Sequence, residues 1–221
     1  MRITARTASR MTQCGVDVDA LRDSDPVTAA SRVLGAILTV GEVVARIVEV
    51  EAYGSPANGP WPDPAAHSYP GPTPRNRVMF GPPGVLYVYL SYGIHRCMNV
   101  VCGPEDTACA VLLRSAEIIE GADVVTARRP GARRAADLAR GPGNLGRALG
   151  IELSDNGTEL FDPASPIRLE LRGVPSWAAG PRVGISEAAD RPWRLWFPDS
   201  PAVSTYRRSP RATPPDTGVP A

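Results

Sequence analysis

The chain has 221 residues, 24 basic and 23 acidic, for a net charge of +1, so it is no polyelectrolyte that binds nucleic acid by bulk charge. Hydrophobic residues make up 43 %, enough for a sizeable core, and no apolar run approaches the ~20 residues of a membrane helix. Every basic residue is arginine; without lysine, no side-chain amine can form a Schiff base.

The first 15 residues, MRITARTASRMTQCG, carry arginines and hydroxyls without an acid and read as a disordered arm. Asp25-Pro26 reads as a helix cap followed by proline in the first turn, with the helix running through VTAASRVLGA on Val27, Ala30, Val33 and Leu34. ILTV and GEVVARIVEVEAY read as two strands joined at Gly41. In IVEVEAY, Val48, Val50 and Ala52 share one face and Glu49, Glu51 and Tyr53 the other. That second face suits either a solvated surface or a catalytic floor.

Residues 54–76 form a long Pro/Gly loop with Trp61, His67 and Tyr69; loops of that length are usually functional or disordered. Val85–Leu90 and Ile94–Val101 read as a β-hairpin turning at Ser91-Tyr92-Gly93. ACAVLLRSAEII gives a strand leading toward a helix, and GPGNLGRALGI a further helix. IRLELRGV, RVGIS and PWRLWF read as late strands. Hairpins with interspersed helices argue an α+β fold: one domain over 16–200 with a largely antiparallel sheet and a protruding hairpin. Residues 201–221 read as a disordered Pro/Arg-rich tail.

Several side chains could carry chemistry. Glu51 can serve as a general base if its face lines a pocket. Tyr87 and Tyr89 fit a packed core or a binding slot. Tyr92, at a hairpin tip, gains little from a core and suits a wedge between base pairs. Arg75, Asn76 and Arg77 fit a solvated loop or phosphate contacts equally well. Arg114 ends an apolar strand, where a buried charge calls for a carboxylate partner. Cys14, Cys97, Cys102 and Cys109 form no CxxC pair, so reduced thiols and a cytoplasmic location are expected. His95-x-Cys97-x4-Cys102 matches no common zinc spacing, and no nucleotide-binding glycine motif is present. GPGNLG could hold a phosphate on its amides or be a plain helix entry.

VEVEAY, AAHSY, TPRNRVMFGPPGVLYVYLSYGIHRCMNV, AVLLRSAE, RGPGNLGRALGI and PRVGIS, in this order, resemble the alkyladenine (3-methyladenine) DNA glycosylase family. The resemblance implies a curved, open-barrel-like antiparallel sheet with surrounding helices. It implies excision of alkylated purines, 3-methyladenine above all, from double-stranded DNA by a monomer using no metal or organic cofactor. Glu51 falls at the family's general base and Arg114 at an arginine that helps hold the attacking water, with a backbone carbonyl of the Val183–Ile185 segment as a third contact. Tyr53 falls on one side of the flipped base, His67 and Tyr89 on the other, and Asn99 where guanine is excluded. Tyr92 falls at the wedge, beside Ile94, with Arg75, Asn76 and Arg77 as DNA contacts.

Three features depart from the family's pattern: Asn144 where lysine is frequent, His95 where an aromatic is frequent, and a longer loop over 54–66 that includes Trp61. Two other readings compete: a non-catalytic module for damaged DNA, and an enzyme of free nucleosides, for which the Tyr92 turn would be superfluous.

Overall fold

A computed structural model describes residues 18–173 and 176–213; the arm over 1–15 and the end of the tail over 214–221 lie outside the described residues. Helix α1 (Pro26–Val33) starts where its cap predicts: Asp25 Oδ1 accepts from the N–H groups of Val27 (2.9 Å) and Thr28 (3.1 Å). It stops earlier than expected, because Leu34 is already extended and Gly35 adopts φ +83°. Leu34 still packs in the core.

Strands β1 (Ile37–Val40) and β2 (Val43–Tyr53) form the expected hairpin through Gly41. They are followed by β3 (Leu86–Ser91), β4 (His95–Cys102) and β5 (Cys109–Glu120), then α2 (Ala122–Arg128) and α3 (Pro142–Leu149). The chain ends through β6 (Ile167–Glu170), β7 (Ala178–Gly180) and β8 (Arg194–Trp196). The main order is β3-β4-β5-β2-β1-β6, and every pairing of named strands is antiparallel.

β2 is the hinge of the sheet. It pairs β1 at residues 43–46 and β8 at residues 49–51, and its register with β5 slips on both sides of Glu49. Such irregularities bend a strand, and the sheet curls into half a barrel. Residues 47–52 are consequently buried on both faces, so the solvated-face reading of Glu49 and Glu51 is excluded. The helices pack against the sheet, where α1 and α3 contribute Ala29, Ala30, Val33, Leu145, Ala148 and Leu149 to the main core.

The tip of the β3–β4 hairpin is exposed. Tyr92 (φ +50°) and Gly93 (φ +73°) both lie in the left-handed region, a conformation that costs a tyrosine about 1–3 kcal/mol. Tyr92 is 93 % exposed and Ile94 68 %.

Two expectations are corrected. RVGIS is no strand: Gly184 sits at φ +72° and the Val183 N–H, which a ladder would use, is taken by Glu51. Residues 201–213 are no loose tail either. Ala202 is fully buried, Ser204 bonds Glu49, and Arg208 pairs with Asp190. Composition suggests disorder, but the buried Glu49 and the exposed Asp190 supply this polar segment with carboxylate partners.

Candidate active site

β2 carries Glu51 to the floor of a cavity of about 350 Å³ and buries it completely. Three groups meet its carboxylate. Tyr53, two residues on along the same face, donates its hydroxyl to Oε2 at 2.9 Å. The Val183 N–H donates to Oε1 at 2.7 Å. Arg114, from the middle of β5, brings a terminal nitrogen to 3.2 Å from Oε1. A carboxylate accepts about four hydrogen bonds, so Oε2 retains capacity toward the cavity. The Val183–Ile185 segment, expected to meet the attacking water through a carbonyl, instead meets Glu51 through an N–H.

The cavity walls are aromatic. His67 and Tyr89 meet edge to face, with ring centroids 4.6 Å apart, and Tyr87 stacks on Tyr89 at 5.7 Å. Tyr53 and Asn99 complete the lining that the sequence pointed to. Asn99, 5 % exposed on β4, donates to the Tyr87 carbonyl at 3.2 Å. Burial, with the Glu51 charge adding to it, pushes the Tyr53 hydroxyl well above the ordinary tyrosine range. Burial, and then Cys97, does the same to Tyr89. Both remain phenols. Burial, helped by the Arg75 charge, lowers the pKa of His67 and favours the neutral imidazole.

The long loop that presents His67 is a built wall. Asp63, fully buried, accepts from the Gly54 N–H at 3.0 Å and pairs bidentately with buried Arg182. The Arg182 guanidinium in turn lies 4.7 Å from the Tyr53 ring centroid and 5.2 Å from that of Trp193. Neither Asp63 nor Arg182 stood out in the sequence, because they are far apart in the chain and each resembles a surface charge.

Asn76, expected to touch DNA, is instead a brace of this loop. It is 2 % exposed, accepts from the Thr73 N–H, and donates to the carbonyls of His67 (2.8 Å) and Gly71 (3.0 Å). Arg75 and Arg77 are exposed, and the Arg75 guanidinium lies over Tyr89, a wall of the cavity, at 5.7 Å. Beyond the cavity, the Tyr92 hairpin leans on the start of α3: a Cβ on Gly143 would come within 2.7 Å of the His95 ring. Asn144 is occupied locally, donating to the Arg140 carbonyl at 2.7 Å.

The largest surprise is Glu49. Its Oε1 accepts from Arg114 Nε (2.8 Å), Arg194 Nε (2.7 Å) and Ser204 Oγ (2.8 Å). Its Oε2 accepts from Ser115 Oγ (2.7 Å) and the Ser204 N–H (2.7 Å). Burial would raise its pKa, but Arg114 and Arg194, with the two serines, hold it at about 2. Burial likewise opposes the charge of Arg114, and Glu51 and Glu49 together overcome that, so its pKa lies above the ordinary arginine value. Arg114 is thus a cation clamped between two carboxylates, one structural and one open to the cavity. A carboxylate with an adjacent fixed cation, beneath an aromatic slot, can take a proton from water and face a cationic ring.

The profile of the family described as methylpurine-DNA glycosylase matches residues 20–201. The chain belongs to the methylpurine-DNA glycosylase family. Three bacterial relatives carry the name "Putative 3-methyladenine DNA glycosylase". The Nocardia farcinica protein is 67 % identical over 191 residues, 85 % of this chain and 90 % of its own. The Rhodococcus jostii protein is 60 % identical over 197 residues, covering 89 % and 88 %. The Mycobacterium tuberculosis protein is 61 % identical over 188 residues, covering 85 % and 93 %. Methylpurine-DNA glycosylases are hydrolases of N-glycosyl bonds in base excision repair, so the substrate of this family member is DNA and the non-catalytic reading falls. Glu51, Arg114 and Val183 all lie within the matched span. Among the described residues, no helix is long and apolar enough to cross a membrane.

Proposed function

We propose that this glycosylase flips an alkylated purine, 3-methyladenine above all, out of duplex DNA and hydrolyses its N-glycosidic bond with water activated by Glu51. The observation that carries this reading is the burial of Glu51 in the lining of an aromatic-walled cavity, with only one hydrogen bond on its Oε2. Only a base extruded from the stack reaches such a carboxylate.

The chemistry follows from charge. An N-alkylated purine is cationic. Tyr53 stacks on one face, His67 and the perpendicular Tyr89 line the other, and the π face turned to the base attracts that cation. A neutral His67 adds no repulsion. As the base departs, the bonding pair leaves with it and quenches its charge. The sugar acquires oxocarbenium character, which the Glu51 carboxylate stabilises. Water attacks the anomeric carbon and passes a proton to Glu51. Arg114 and the Val183 N–H keep the carboxylate aimed. Asn99 crowds the site of guanine's exocyclic amine. Among the described residues that line the slot, none is a carboxylic acid or imidazolium free to protonate a leaving base, so cationic lesions are favoured over neutral ones, whose departure needs protonation.

Arg75 and Arg77 at the rim contact phosphates. Tyr92, flanked by Ile94, fills the gap left in the stack, and a single copy of the chain suffices for the reaction. Because the chain has no lysine, the product is an abasic site, with no strand cleavage through a side-chain Schiff base. The test is to incubate the enzyme with methylated duplex and identify the released bases. Free 3-methyladenine is expected, with no covalent protein–DNA band when borohydride is present. Release of unmodified purines in equal amount would defeat the assignment.

Tyr92→Ser probes the wedge separately. Stacking at this position is worth about 1–3 kcal/mol, so duplex excision at limiting enzyme should fall by about 5- to 150-fold. Tm should not move, because the ring is 93 % exposed. Undiminished duplex excision would mean that Tyr92 is no wedge.

A further inference from the structure

The family profile ends at residue 201, yet the segment that follows reaches two of the three groups that meet Glu51, Arg114 directly and Val183 through its neighbour Gly184. Ser204 Oγ lies 3.2 Å from a terminal nitrogen of Arg114, and the same hydroxyl and its own N–H grip Glu49 at 2.8 and 2.7 Å. Three residues on, the Arg207 carbonyl accepts from the Gly184 N–H at 2.9 Å. Gly184 is the neighbour of Val183, whose N–H bonds Glu51.

We infer that residues 202–208 are a strap that belongs to the active site, with Ser204 a positioning residue for Arg114 and Glu51. A guanidinium is planar and rigid. Fixing Nε on Glu49 and one terminal nitrogen on Ser204 leaves the other terminal nitrogen no choice of direction, and it meets Glu51. Glu49 is itself held by five bonds, two of them from Ser204. The strap is anchored independently of these contacts. Ala202 is fully buried, Arg140 donates to the Pro201 carbonyl, Arg194 donates to the Ser204 carbonyl at 2.7 Å, and Arg208 pairs with Asp190. One segment thus sets Arg114 from one side and the Val183 loop from the other. Misplacing a catalytic group by about 1 Å can cost about 100-fold in rate.

This inference rests on Glu51 acting as the base, so the experiment carries Glu51→Gln alongside. Single-turnover excision of 3-methyladenine at saturating enzyme, Kd for an abasic-analogue duplex, and Tm are measured for Ser204→Ala, Ser204→Thr and Ala202→Asp. Ser204→Ala should slow the chemical step about tenfold with Kd within about twofold, and Ser204→Thr, which keeps the hydroxyl, should restore it. Ala202→Asp, which expels the anchor and frees both links, should slow it about 100-fold. Should Ser204→Ala match the wild-type rate while Glu51→Gln is inactive, the strap has no catalytic role. Loss of rate only in proportion to Tm and Kd would overturn it equally, as a purely structural contact. An active Glu51→Gln enzyme would remove the reading of Glu51 itself. If Ala202→Asp does not fold, the Ser204 pair decides alone.

Discussion

Replacing Glu51 with glutamine should lower excision of 3-methyladenine by about 10²–10⁴-fold, the range contributed by a positioned general base, while leaving affinity for abasic-analogue DNA nearly unchanged. Glutamine keeps the shape of the side chain. Its amide oxygen can still accept from the Val183 N–H and Arg114, the two donors on Oε1. Its amide nitrogen would occupy Oε2, and the Tyr53 hydroxyl can rotate to accept from it, since that phenol both donates and accepts. Arg114 keeps Glu49 as its counter-charge. The fold and the DNA-binding rim therefore survive. What disappears is the acceptor for the water proton and the negative charge beneath the developing oxocarbenium ion. Single-turnover excision and a binding titration on the same preparation separate the two effects. Near-normal excision would remove the carboxylate from the mechanism, whatever the cavity looks like.

The elements legible in the sequence are those set by neighbours in the chain. Asp25-Pro26 caps α1 because the cap bonds span two and three residues. Gly41 and Gly93 turn the two hairpins through backbone angles open to glycine. Period-two alternation placed Glu49, Glu51 and Tyr53 on one side of β2, and the Tyr53–Glu51 bond shows that they do share it. The same alternation misled about Glu49. It left Glu49 on a solvated surface or a catalytic floor, whereas Arg114 and Arg194 neutralise it and Ser204 bonds it from 65, 145 and 155 positions away. No local period encodes partners at that range. Asn76 failed for a related reason: a polar residue beside two arginines looks like a DNA contact until its amide is seen bracing the loop. RVGIS has the β-branched content of a strand but spends its N–H on a side chain. The resemblance to the family supplied the roles around the cavity; the strap beyond residue 201 carries no comparable signature.

Glu49→Ala is the substitution expected to cost the most stability. It leaves Arg114 and Arg194 buried without the carboxylate both of them pair with, and breaking a buried pair in this way costs about 3–5 kcal/mol. Glu49→Gln should cost less, since an amide oxygen still accepts. The two differ in kind from surface charge changes, which are worth at most about 1 kcal/mol. The acid limb of the stability curve gives an independent check. The Glu49 pKa is about 2 in the folded chain against an ordinary value of 4.5, so the unfolded chain binds its proton first as pH falls. The contribution is therefore fully present above about pH 4.5 and lost progressively toward pH 2, and a shift of that size corresponds to about 3 kcal/mol. Denaturant unfolding of the wild type and Glu49→Gln at a series of pH values should show a stability gap that is constant above pH 5 and closes on acidification. A gap that stays level down to pH 2 would mean that Glu49 is not held ionised by its arginines. Arg114 would then have to be aimed at Glu51 by Ser204 alone.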